Sequence, residues 1–94
     1  MKDAEELIKN LKHKDSSIRQ NAIEMLGVMG DEKAVDALIL VLKDENRFVR
    51  QEAIAVLGKI GGDQVVGPLT QALREEKNEF VQDSISKVLE KLRK

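Results

Sequence analysis

Cysteine, tryptophan and tyrosine are absent from this 94-residue chain, which holds two phenylalanines, one histidine and one proline. Without cysteine there is no disulfide framework and no thiolate chemistry. The lone histidine, His13, sits in a polar stretch. A metal site needs several convergent ligands, and no second His or Cys is present to join it. Scattered serines with no nucleophile elbow exclude a recognisable Ser-His-Asp set. Two phenylalanines, Phe48 and Phe80, are too few for a base-stacking platform. Charge of one sign is lacking as well. Sixteen Lys and Arg face seventeen Asp and Glu, a net charge of −1, with the signs interspersed. Such a chain projects no long-range field towards nucleic acid or anionic lipid. The longest apolar run, Ala37 to Leu42, falls far short of the ~20 residues that span a bilayer. The start, Met-Lys-Asp-Ala-Glu-Glu, has no apolar signal region. These absences predict a soluble, cytoplasmic chain with no membrane partner, no cofactor and no catalytic role. Glu75-Glu76 beside Lys77 reads as a solvated turn, and Gly61-Gly62, with no following Lys-Ser/Thr, as a helix stop.

What is present is one pattern written three times. Phe48-Val49-Arg50-Gln51-Glu52-Ala53-Ile54-Ala55-Val56-Leu57-Gly58 has a counterpart 31 residues earlier, from Ile18 to Gly27, and another 32 residues later, from Phe80 to Leu89. Each copy carries apolar residues at helical spacing, and no stretch alternates with period two. Each copy is preceded by a second, shorter helical pattern. The spacing predicts six helices: Asp3 to about Lys12, a second that follows the turn His13-Lys14-Asp15 and runs to about Met29, Lys33 to Lys43, Asn46 to Ile60, a turn and then a helix around Pro68 to about Arg74, and Asn78 or Glu79 to near Arg93. Asp15, Asn46 and Asn78 occupy one repeat position and are all N-capping types. Gly30 and Gly61 are expected to stop their helices. In the second helix the inner face is expected to be Ile18, Ala22, Met25, Leu26 and Met29. In the third it is Val35, Leu38, Ile39 and Leu42, with Val41 half-covered.

Departures from the repeat carry further expectations. Gly27 and Gly58 lie inside helices, where glycine costs about 1 kcal/mol relative to alanine. Close packing of the next unit is the simplest reason. Glu90 replaces them in the third unit, and Ser86 replaces Ile23 and Ile54. Asp3 and Glu6 stand where the second unit has Ala34 and Ala37. Polar outer faces of this kind predict a finished stack of three repeats, at about 1–30, 31–61 and 62–94, forming a single domain. Arg19 and Arg50 follow the first buried aliphatic of their helices. They either bind an anion or, the favoured reading, pair with the linker acids, Asp31 for Arg19 and Asp63 for Arg50.

Gly30-Asp31, the Ala-Val-x-x-Leu of Ala34 to Leu38, the Val-Arg-x-x-Ala of Val49 to Ala53 and Pro68-Leu69 resemble the short HEAT-like repeat of phycobilisome-lyase-type proteins. The resemblance covers almost the whole chain. It implies an all-α fold: an α-solenoid of three stacked antiparallel helix pairs, six helices, in a right-handed superhelix. It also implies that the second helix of each pair lines a concave surface where partners bind. The third unit departs, with Gln82 in place of the arginine and one extra residue between Glu75 and Glu79. A metal-binding branch resembling deoxyhypusine hydroxylase uses His-Glu pairs. This chain has none, so that activity does not carry over.

The expected function is a non-catalytic scaffold for a protein or peptide. The outward row of the second helices is Ser17, Asn21, Glu24 and Val28; Phe48, Glu52, Ala55 and Lys59; and Phe80, Ser84, Lys87 and Lys91. The partner-binding residues expected are Glu24, Phe48, Gln51, Glu52, Phe80, Asp83 and Lys87. The two phenylalanines either anchor a partner or fold under the preceding loop. The alternative is an accessory or chaperone-like subunit of a lyase-type enzyme. A nucleic-acid partner is disfavoured, because Glu24, Glu52 and Asp83 interrupt the basic residues of the face. A monomer is expected over a homodimer, with Leu40 as the point where self-contact would occur.

Overall fold

A computed structural model describes residues 3–93. Its helices are α1 (Ala4–Asn10), α2 (Ser16–Met29), α3 (Val35–Val41), α4 (Arg47–Ile60), α5 (Val66–Glu75) and α6 (Glu79–Leu92). Short 3-10 turns, Glu32–Ala34 and Gly62–Val65, lead into α3 and α5. No strand occurs among the described residues. The expected capping residues all cap. The Asp15 carboxylate accepts the Ser17 N–H, and the Asn46 and Asn78 side chains accept the N–H groups two and three residues on. An asparagine cap of this kind is worth about 1 kcal/mol. The Ser17 N–H holds the exposed Asp15 carboxyl below its ordinary pKa, so the contribution of the Asp15 cap is present above that pKa and is lost as acidification passes the lowered value. Pro68 stands third in α5, within the first turn, where its missing N–H is tolerated.

At seven residues each, α1 and α3 are too short to hold in isolation. They survive by packing. Each short helix lies on the longer helix that follows it, and α2, α4 and α6 lie side by side in one row. The Cα trace measures 35 × 25 × 15 Å. Its thinnest dimension fits two helix layers about 8–10 Å apart, so the molecule is a solenoid of three helix pairs. The side chains that close the stack are Ile23, Leu26, Leu38, Ile54, Leu57, Leu69 and Ile85, all with almost no exposure.

The layers are unequal. The second helices pack closely, whereas successive first helices barely touch. A stack with one tight layer bends towards it, which puts the row of α2, α4 and α6 on the inner side. Gly27 and Gly58 set that approach. A Cβ on Gly27 would lie 2.9 Å from Val56, and one on Gly58 would lie 2.8 Å from Val88. The third pair has Glu90 at this position, exposed.

Arginine ties the pairs together, with partners other than those expected. Arg19 does not reach Asp31. Its Nε and Nη2 donate to the Asp44 carboxylate at 2.8 and 3.1 Å, and its Nη1 to the His13 and Lys14 carbonyls. Arg50 likewise bypasses Asp63. It donates to Glu76 at 2.9 and 3.0 Å and to the Asp44 and Glu45 carbonyls. The physical reason is direction. Each arginine sits at the start of its helix, beside the turn within the next pair, while the linker acids lie at the far end. Asp31 is occupied in its own turn, accepting the Lys33 N–H. Gln82, the third-pair equivalent, keeps only the backbone half of the device, donating to the Glu76 carbonyl at 2.7 Å.

Three smaller expectations change. Met25 and Met29 are 42% and 45% exposed, while Ile23 is fully buried. Met25 stands where Val56 and Val88 plug the preceding glycine, and no described residue covers that flank of α2. Val41 is buried rather than half-covered. Gly61 ends α4 in right-handed geometry, and the left-handed residue is Gly62 (φ 63°), whereas Gly30 (φ 65°) takes that conformation as expected.

Candidate functional site

The caps decide where the aromatic rings go. Asn46 and Asn78 start α4 and α6 at the same register, so Phe48 and Phe80, two residues on, leave adjacent helices at the same height. Both rings are exposed, 53% and 67%. The reading in which they tuck under the preceding loop does not hold. Between them lies a residue the sequence reading passes over, Arg47. Its guanidinium carbon stands 4.7 Å from the Phe48 ring centre and 5.6 Å from that of Phe80. Those distances keep the rings within about 10 Å of each other and give the cation two π faces. Among the described residues no carboxylate lies within 4.0 Å of Arg47. The signal was available: an Arg-Phe pair opening one helix, with a Phe at the matching position of the next.

The other expected residues divide into three groups. Gln51 is half-buried between α4 and α6, its Nε2 3.4 Å from Ser84 Oγ, and Ser84 in turn donates to the Phe80 carbonyl. It forms the floor beside the rings. Glu52 is half-buried on α4. Asp83 and Lys87 are exposed and pair with each other at 3.0 Å. Glu24 is exposed on α2, in line with Ala55 and Lys87 but two helices away from the latter. Phe48, Phe80, Gln51 and Arg47 therefore come together, Asp83 and Lys87 border them, and Glu24 stands apart.

The opposite layer is open too. Where first helices diverge, grooves form. One lies between α1 and α3, with Ile8, Leu11, Ala37 and Leu40 in its walls. Another lies between α3 and α5, over Ile39, Leu42, Pro68 and Ala72. Leu40 is 69% exposed, as expected from its spacing. Among the described residues no cluster of three or more His, Cys, Asp or Glu could hold a metal ion, and no helix is long and apolar enough to cross a membrane.

The family profile of HEAT repeats matches residues 4–90. The chain belongs to the HEAT-repeat family. Among solved structures, this HEAT chain is similar to part of an epoxyqueuosine reductase crystallised with an epoxyqueuosine-modified tRNA-Tyr stem loop. The identity is 27% and the TM-score 0.77 over 97% of this chain. The chain spans 28% of that enzyme's length. No curated protein matches the sequence.

Proposed function

We propose that this HEAT stack is a non-catalytic scaffold that holds a protein or peptide against the row formed by α2, α4 and α6. One observation carries the reading: Phe48 and Phe80 are exposed side by side around a cation that has no carboxylate within 4.0 Å among the described residues. Phenylalanine and arginine are both enriched at the cores of protein interfaces, and arginine is among the residues most often found as an anchor. Gln51, Glu52, Asp83 and Lys87 then orient the partner, and Glu24 meets only a partner long enough to cross all three helices. The test is a titration of the isotope-labelled chain with a peptide selected from a randomised library. Amide shifts are expected at residues 47–52 and 80–87. Shifts confined to Ile39, Leu42 and Ala72, in the outer groove, would overturn the reading.

A second reading rests on the likeness to a segment of a tRNA-bound enzyme. There the stack would be an accessory domain of a larger catalytic assembly and would touch RNA. An RNA stem loop bound with an affinity that falls steeply with salt would favour it.

A further inference from the structure

The aromatic pair and its arginine also specify what the partner brings. We infer that the Arg47–Phe48–Phe80 cluster takes an acidic peptide motif: one carboxylate on the Arg47 guanidinium, with a large aliphatic or aromatic side chain within a few residues packing on the exposed rings. This rests on the reading of the second-helix row as the binding face.

The argument starts from charge. Arg47 is exposed and has no carboxylate within 4.0 Å among the described residues. Arg19 and Arg50 are committed to Asp44 and Glu76, and Lys87 is neutralised by Asp83. Arg47 is thus an uncompensated cation at this rim, and the one held between the two rings. Contact with the two rings leaves the edge of the guanidinium available, and that edge is the fork that grips a carboxylate through two parallel N–H donors. Its repeat equivalents are Ser16 and Glu79, so the row carries no ladder of arginines at this position. A polyanion fits badly. A nucleic-acid strand carries a charge at every step and would meet Glu52, Glu79 and Asp83 around the one arginine. A single carboxylate next to apolar side chains satisfies Arg47 without approaching those acids. Spacing agrees. Rings within about 10 Å of each other are reached by apolar side chains two or three residues apart on an extended segment, at ~3.3 Å per residue.

The experiment is display selection of the 94-residue chain against a randomised peptide library, repeated with two variants whose folding is checked by circular dichroism. Wild type is expected to enrich Asp or Glu close to Leu, Phe or Trp. Phe48→Ala with Phe80→Ala is expected to weaken the enriched peptides about tenfold or more. Arg47→Glu is expected to reverse the selected charge to Lys or Arg. Peptides that need the phenylalanines but carry no acid, and ignore Arg47→Glu, would overturn this inference and leave the binding face standing. Peptides indifferent to the phenylalanine changes, or no enrichment at all, would overturn both. Tighter binding of an RNA stem loop than of any selected peptide, lost steeply with salt, would also overturn it.

Discussion

The solenoid has two internal junctions, and they solve one problem with slightly different parts. Between the first and second pairs, Arg19 meets Asp44, and Gly27 receives Val56. Between the second and third, Arg50 meets Glu76, and Gly58 receives Val88. The second junction has an extra residue to absorb, because α5 runs on to Glu75 and its turn departs in extended geometry at Glu76. An acid one methylene longer closes the gap, and the arginine–carboxylate distance is almost unchanged, 2.9 against 2.8 Å. The arginine alone is more exposed, 17% for Arg50 against 8% for Arg19, while the two acids are about equally buried, 8% for Glu76 and 10% for Asp44. The glycine contacts differ by only 0.1 Å. Helix approach is therefore the fixed quantity, and the polar clasp adapts to it.

The largest effects should come from the clasp. Arg19→Met strands a buried carboxylate and two carbonyls, and is expected to cost about 3 kcal/mol in chemical denaturation. Arg50→Met strands an acid as buried as Asp44 but removes a more exposed guanidinium, and is expected to cost somewhat less, about 2 kcal/mol. Equal losses would erase the difference between the junctions. Gly27→Leu and Gly58→Leu force a side chain into a valine and should each cost about 1–3 kcal/mol, a fall of several degrees in melting temperature. The same leucine at Glu90, which is exposed, should be nearly neutral. A harmless Gly58→Leu would mean that the helices separate freely. The smallest effect is expected at Leu40, whose equivalent at the second junction is the exposed Gln71. Leu40→Lys should change stability by less than about 0.5 kcal/mol. We expect the wild type to sediment as a monomer at tens of micromolar, because one exposed leucine offers little interface. A dimer dispersed by Leu40→Lys would place a self-contact on the outer layer.

Most of the fold was legible because its signals are local. Asp15, Asn46 and Asn78 announce helix starts through side-chain bonds to residues two or three positions away. Pro68 announces a turn followed by a helix, and the repeat itself announces the stack. The tight junctions were also legible, since glycine inside a helix calls for a steric reason. What stayed hidden depends on direction in space. The acid near an arginine along the chain was Asp31 or Asp63, but the acid near it in the fold is 25 or 26 residues away. Helical spacing puts Met25 on the same face as Ala22 and Leu26, and only the flank on which α2 has a neighbour decides between it and Ile23. At the candidate site the sequence could place Phe48 and Phe80 at one repeat position. It could not say whether the rings fold in or out, nor that Arg47 would settle over both.

One consequence follows from the order of the junction parts along the chain. The segment 31–61 carries both halves of every fastening: an acid to be gripped (Asp44) and an arginine to grip with (Arg50), a plug (Val56) and a socket (Gly58). The first pair has Arg19 and the Gly27 socket, but His13 where the acid would be. The third has Glu76 and the Val88 plug, but Gln82 and Glu90 where the arginine and socket would be. The middle segment is therefore compatible with itself in a way its neighbours are not. Copying it in tandem would lengthen the solenoid with every new seam made of bonds the molecule already contains. Each added copy would also extend the inner row with another Arg-Phe pair.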